Sequence, residues 1–322
     1  MTMNPDMPPS AAPMQSWRRS DTDRFLDKAF LWLTGAFGYG VIAVLLGIAV
    51  QVAKAAWPAI QQFGLGFLAS QRWDPVQNIY GVLAQLYGTL VTAFIALLIA
   101  VPIGIGIALF LSEDFLPDKV KRPLVFMIEL LAAVPSVVYG IWGVYVLIPF
   151  LNPVARWLNQ TFGWIPLFSS APAGPGIHAA GMILAIMILP IISAISRDAL
   201  VAVPGSIRQA SYGLGATRWE TIFKVIIPAA FSGIVGGIML ALGRAMGETM
   251  AVTLVIGNSN RISSASIFDQ GSTIASLLAN QFAEAGGLQL SSLMYGALSL
   301  FFLTLIVNVI AEYIIRRFSI KY

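Results

Sequence analysis

Glu129, Arg244 and Glu248 are ionisable residues set in stretches of this chain that are otherwise apolar. Charge at membrane depth costs about 2.5–3.5 kcal/mol on insertion scales, so such residues are functional candidates by default. Arg244 and Glu248 belong to GRAMGETMAV, residues 243–252. They are four positions apart, and a continuous helix would set them on one face. Pairing would partly offset their desolvation. Two readings stand: a structural ion pair, with Glu129 as a third member, or groups that line a path for a solute. A guanidinium matches the oxygens of an oxyanion, and Glu248 would keep Arg244 from holding that anion too tightly. In AVPSVVYG, residues 133–140, Pro135 removes a backbone donor and bends its helix. Ser136 and Tyr139 would then offer hydroxyls to a passing anion, or Ser136 would bond back to its own backbone.

Other residues of the same kind carry less. Pro102 and Pro190 read as kinks, and Glu312 reaches the interface near the end of the last span. Gly243 and Gly247 form a G-x(3)-G helix-packing signature. His178 is a polar residue opening a span and is assigned no role.

The elements that must hold these groups follow from composition. The chain has 322 residues, 57% hydrophobic and 11% charged, against about 25% charged in soluble domains. It is an integral membrane protein, all-α. It has no cysteine and one histidine, which excludes disulfides and any metal site built from several His or Cys ligands. No G-x(4)-G-K-[ST], G-x-S-x-G or H-E-x-x-H occurs, nor a carboxylate dyad, so neither ATP binding nor hydrolytic chemistry is expected. No cofactor is expected in this chain.

A span needs about 20 mostly apolar residues. Six stretches qualify: Phe30–Val52, Tyr80–Leu111, Leu124–Leu151, Ile177–Ile195, Ile226–Ile256 and Leu293–Ile315. Residues 1–29 read as a polar tail, and the first span as a retained helix, too long for a signal-peptide core. With the N-terminus inside, fourteen Lys and Arg fall in inner segments and four in outer ones. The positive-inside rule then puts both termini in the cytoplasm. The outer loop of residues 257–292 is long, and its apolar-periodic stretch Thr273 to Ala285 predicts a short helix at the outer surface, suited to docking an external partner.

The inner loop VPGSIRQASYGLGATRWETIFKVIIP, residues 203–228, is the most informative segment. Ser206 with Gln209 and Thr217 with Glu220 each fit a capping box. Gly213 and Gly215 suit a helix stop, and Pro228 suits the start of the next helix. Two short helices joined by a glycine turn are expected. Ala210, Ser211 and Gly213 on the first would allow close approach to another protein.

This loop resembles the EAA loop of bacterial ABC-importer permeases, E-A-A-x(3)-G-x(9)-I-x-L-P. Gln209, Ala210 and Ser211 stand at the EAA positions, Gly215 at the glycine, and Val225, Ile227 and Pro228 at the closing I, L and P. The resemblance implies a loop that docks in a groove of a separate ATPase. WDPVQNIYGVLAQLYGTL (73–90), LLIAVPIGIGIALFLSE (97–113), ELLAAVPSVVYGIW (129–142) and GRAMGETMAV are together similar to the phosphate-specific permeases of this class, PstC type, over about residues 70–315. That implies a six-helix type I importer permease for inorganic phosphate in a bacterial inner membrane. It also implies a homologous second permease, two copies of a cytoplasmic ATPase that binds the ATP, and a periplasmic phosphate-binding protein. By the same resemblance, Arg244 and Glu248 act in transport. The open alternatives are a permease for sulfate or molybdate, a channel or ion-coupled carrier, and a membrane sensor of phosphate without flux.

Overall fold

The computed structural model describes residues 21–113 and 115–318. The reading of residues 1–20 as polar tail lies outside them. The chain divides into residues 1–51 and 52–322. In the first unit the described residues are helical from Asp21, so the stretch 21–29, expected as tail, is helix. It is the beginning of α1 (Asp21–Phe63). Its large apolar side chains are exposed, Trp32 at 81%, as suits a helix whose surroundings are apolar on every side.

The second unit is a helical bundle. After the last turns of α1 come α2 (Gly66–Ala69), α3 (Leu83–Ser112), α4 (Asp118–Ala133), α5 (Ser136–Trp142), α6 (Ile148–Phe162), α7 (Ile177–Val201), α8 (Gly205–Gly213), α9 (Arg218–Thr221), α10 (Ile227–Gly247), α11 (Met250–Val255), α12 (Ile274–Gln281) and α13 (Gly287–Phe318). Among the described residues, six helical runs are long and apolar enough to cross a membrane: Arg24–Phe63, Leu83–Ser112, Ser136–Phe162, Ile177–Val201, Arg218–Gly247 and Gly287–Ile314.

α7 is the central element, with 67% of its most apolar window buried. It lies along α3, where small residues allow close approach. A Cβ on Gly181 would stand 2.6 Å from Ile95, and one on Gly104 2.8 Å from Ile192. Ala93, Ala96 and Ala100 of α3 fill the rest of this seam with Ile183, Leu184 and Ile188 of α7. A second apolar cluster, Ala108, Leu200, Val203, Ile222, Ile226 and Ile234, closes the end of the bundle that carries α8. A third, at the other end, joins Ala56, Ala59, Phe67, Tyr80, Ile274 and Tyr295. There the rings of Phe67 and Tyr295 stack at 4.4 Å, and Tyr295 Oη donates to the Gly64 carbonyl at 3.0 Å.

Several expected boundaries move. The third span is not Leu124–Leu151 bent at Pro135. The helix stops at Ala133, Val134 and Pro135 are extended, and a new helix opens at Ser136. Proline drives its predecessor out of the helical region, and here the break is complete. Pro102 and Pro190 stay within unbroken α3 and α7. The fifth span starts earlier than Ile226 and ends earlier than Ile256. α9 runs through a π-helical stretch, Ile222–Ile226, directly into α10. Pro228 stands in the first turn of α10, as expected, but the helix behind it is continuous rather than a fresh start. The π turn redirects the Ile227 N–H to the Ile222 carbonyl and absorbs the donor that proline lacks. The Gly143–Leu147 stretch before Pro149 does the same.

The Thr217–Glu220 capping box forms, but the Ser206–Gln209 one does not. α8 begins at Gly205 behind Pro204, with no side-chain cap. Gly215, at φ +84°, makes the turn between α8 and α9, a conformation cheap for glycine.

The helix expected at the outer surface is α12, capped by Thr273 with Ser276, and it is not superficial. Ile274, Ala275, Ser276 and Leu277 are buried, because the chain from Gly257 folds back into the bundle. The Ile274 N–H donates to Thr89 Oγ1 at 3.1 Å. A Cβ on Gly88 would lie 2.1 Å from the Ser272 carbonyl oxygen. Gly88→Ala is accordingly expected to destabilise the bundle by about 1–3 kcal/mol or more through overpacking, whereas Gly106→Ala, which meets nothing, is expected to be silent. Thermal unfolding of the detergent-solubilised variants measures both.

Candidate functional site: two broken helices and an unpaired arginine

The break after α4 and the break after α10 meet. α11 packs on α5, and two glycines make the contact close. A Cβ on Gly140 would approach the Ala251 Cα at 3.1 Å, and one on Gly143 would approach Val255 at 2.8 Å and Ile183 at 2.9 Å. Interrupted helices expose backbone groups that lipid cannot satisfy, and each break supplies its own partners. Tyr139 Oη donates back across the first to the Leu131 carbonyl at 2.8 Å. At the second, Thr249 Oγ1 donates to the Gly247 carbonyl at 3.2 Å. The Glu248 carboxylate accepts the Ala251 N–H at 3.3 Å, beside the N-terminal end of α11, which favours negative charge.

This corrects the expected Arg244–Glu248 pair. α10 ends at Gly247, and Glu248 is extended, at φ −68° and ψ 126°. The two residues do not share a helical face, and no ion pair joins them. Glu248 is 8% exposed and serves the backbone of the break. Arg244 is exposed, one turn from the C-terminal end of α10, and has no hydrogen bond or ion pair among the described residues. Its charge lies within electrostatic reach of Tyr139.

A Cβ on Gly243 or Gly247, either side of Arg244, would meet no atom within 4 Å, so the G-x(3)-G pair packs against nothing among the described residues. Gly233 and Gly237 are the α10 glycines in contact, with Ala199 and Ile195. Ser136 is half-buried at the first position of α5, and its hydroxyl has no partner among the described residues. Arg244, Tyr139, Ser136 and Glu248 are thus brought to one place, the doubled break.

Glu129 is not among them. It lies on α4, outside the six span-length runs, 3.6 Å from Arg197, in a cleft of about 500 Å³ lined also by Lys121, Arg122 and Asp198. The sequence set it in one span with Pro135 because the α4 break was read as a bend. His178 is buried edge-on to Phe268, 5.2 Å between ring centres, deeper than the end position expected of it.

At the other end of the bundle, α8 presents Gln209 and Ala210 outward, with Leu214 90% exposed beyond them. Ser211, expected on the contact face, instead turns inward, its Oγ 2.9 Å from Thr221 Oγ1. Val225, Ile227 and Pro228 are half-buried on the helix leading into the bundle. The sequence reading missed Arg208 and Glu113, which pair at 3.2 Å beneath α8. A carboxylate closing a long apolar run, as Glu113 does after Ser112, was the available signal.

Residues 100–320 match the family model described as binding-protein-dependent transport system inner membrane component. Curated relatives include the phosphate transport system permease protein PstC of Mesorhizobium japonicum, 45% identical over 96% of each chain. The protein of that name from Pasteurella multocida is 44% identical over 92% of this chain and 93% of its own. Among solved structures, a permease chain of a bacterial alginate ABC transporter aligns over 92% of this chain and 98% of its own, with a TM-score of 0.58 at 15% identity. A chain of the inward-facing MetNI methionine transporter aligns over 74% and 95%, with a TM-score of 0.52 at 17% identity. These two structures share the fold. Six membrane-length helices, the family match and near-full-length relatives together make this chain a multi-pass inner-membrane permease, a member of the binding-protein-dependent transport family and, within it, of the group of its PstC relatives.

Proposed function

We propose that this chain is a membrane-spanning subunit of a bacterial ABC importer that moves inorganic phosphate into the cell. The names of its relatives, phosphate transport system permease proteins, support the substrate. The observation that carries the reading is Arg244, an exposed and unpaired guanidinium beside two facing helix breaks. An arginine in a membrane span is tolerated where it faces a cavity or a partner, and its fork of donors suits phosphate oxygens. Ser136 adds a free hydroxyl at the same place. Tyr139 and Glu248 hold the breaks in shape, and Glu248 keeps a negative charge near the path so that the anion is released as well as bound. Glu129 plays no part in that path.

In this reading both termini face the cytoplasm, as the distribution of Lys and Arg supports. A homologous permease covers the open face of α10, two cytoplasmic ATPase subunits bind and hydrolyse ATP, and a periplasmic phosphate-binding protein delivers the substrate. ATP binding closes the ATPases, draws the α8 loops together and opens the path outward. The chain itself makes and breaks no covalent bond and holds no cofactor.

The test is uptake by the complete complex in vesicles with ATP inside. Phosphate is expected to enter, with sulfate and molybdate left behind. Equal uptake of the three anions would defeat the substrate assignment, and uptake without ATP would defeat the ABC mechanism. Arg244→Gln is expected to lower uptake about 10- to 100-fold, the scale of a lost charged hydrogen bond, with ATPase assembly intact. Arg244→Lys should recover part of it, and undiminished uptake by the Gln variant would remove Arg244 from the path. Leu214→Asp is expected to weaken ATPase capture about tenfold or more, as removal of an exposed apolar anchor does, while the chain still inserts. Pull-down of the ATPase on the variant measures this.

A further inference from the structure

The loop with α8 needs a mechanical connection to the bundle, and its covalent links are poor ones. On one side lies the glycine turn, with Gly213 and Gly215 and a left-handed Gly215. On the other lies the short Ala202–Pro204 connection from α7. A push on the exposed Gln209, Ala210 or Leu214 would be absorbed by these bends unless α8 were tied down elsewhere.

Arg208, the residue immediately before Gln209, points away from that exposed face and into the bundle. Its Nη2 lies 3.2 Å from Glu113 Oε1 and donates to the Leu200 carbonyl at 2.8 Å. Glu113 is the residue that closes α3 and is 6% exposed. Leu200 is in the last turn of α7, and its carbonyl also accepts the Val203 N–H at 3.4 Å. One guanidinium therefore reaches the ends of both α3 and α7, the first by an ion pair without a hydrogen bond to Oε1 and the second by a hydrogen bond. These two helices interlock closely through Gly181 and Gly104.

Phe115, just past Glu113, extends the joint. The Arg218 guanidinium stands 3.8 Å over its ring, and Trp219 lies 6.0 Å from it. Ser211 and Thr221 tie α8 to the helix entering α10. Two charges in a sparsely solvated site stabilise less than apolar packing of the same volume. Their direction and reach suit a joint that must stay in register under load.

We propose that Glu113 and Arg208 are a positioning pair, a latch that makes α8 move as one body with α3 and α7 so that displacement of the loop reaches the membrane helices. This rests on the reading that α8 receives its motion from an ATPase. Arg208 touches no substrate; it acts through Glu113 and the α7 carbonyl.

The experiment measures phosphate taken up per ATP hydrolysed by the complete complex in vesicles. Glu113→Gln and Arg208→Gln are each expected to lower this ratio about tenfold, within the range of mutations along a connected network, with ATPase capture unchanged. The double variant should be no worse than the worse single one, as for two halves of one joint. The chain has no cysteine, so Glu113→Cys with Arg208→Cys can be bridged by a short thiol-reactive linker. Bridging is expected to raise the ratio above that of the same variant unbridged. An unchanged ratio in the Gln variants, additive losses in the double, or a bridged variant no better than the unbridged one would each overturn the latch. Normal coupling in the unmodified complex keeps the transport reading in all three cases. An unmodified complex with no ATP-dependent uptake would overturn that reading and the latch with it.

Discussion

Every backbone donor and acceptor in a membrane must find its partner inside the protein. The rest of this structure depends on how that constraint is met at two interruptions, Val134–Pro135 and Glu248–Thr249. Each interruption frees carbonyls on one side and N–H groups on the other. Tyr139, Thr249 and Glu248 return polar atoms to them. The two short helices that follow, α5 and α11, bury each other across Gly140 and Gly143. A break in one helix alone would face lipid; two breaks that face each other make a protected polar place.

Arg244 takes its meaning from that arrangement. A carboxylate four residues on would neutralise it in a continuous helix. Because α10 ends at Gly247, Glu248 instead spends its charge on the start of α11, and the N–H donors of Arg244 have no partner among the described residues, beside bare Gly243 and Gly247. The same residues that looked like a helix-packing signature supply clearance around a cation. At the opposite end of the bundle the logic reverses. Arg208 and Glu113 do meet, and α8 is tied to the ends of α3 and α7. One charge is left without a partner among the described residues, and the other is held by two distant helices.

Much of this was legible without coordinates. Apolar runs marked six spans because lipid demands about 20 apolar residues each, and five of the six overlap the structure's spans along most of their length. The Thr217–Glu220 box and the Gly215 turn followed from local chemistry alone. Less legible were the positions where local rules permit two outcomes. Pro102, Pro135 and Pro190 all sit in apolar helical sequence, yet only Pro135 ends its helix. The difference lies in what waits across the gap: Tyr139 for the carbonyl of Leu131 and α11 for the face of α5. Ser206 and Gln209 have the spacing of a capping box, but Pro204 sets the entry to α8 and the box does not form.

The sequence by itself determined the membrane class, the number of spans, the family resemblance and the loop with α8, because hydropathy, glycine conformation and capping act over a few residues. It also singled out Arg244 and Glu248. Tertiary structure decided how those two are placed. It separated them by ending α10 at Gly247, set Glu129 beside Arg197, drew α12 into the core and joined Glu113 to Arg208 across 95 positions of chain. The physical reason is that a buried charge or a broken helix is tolerable only when its partner is present, and the partners here come from distant elements that no local spacing brings together.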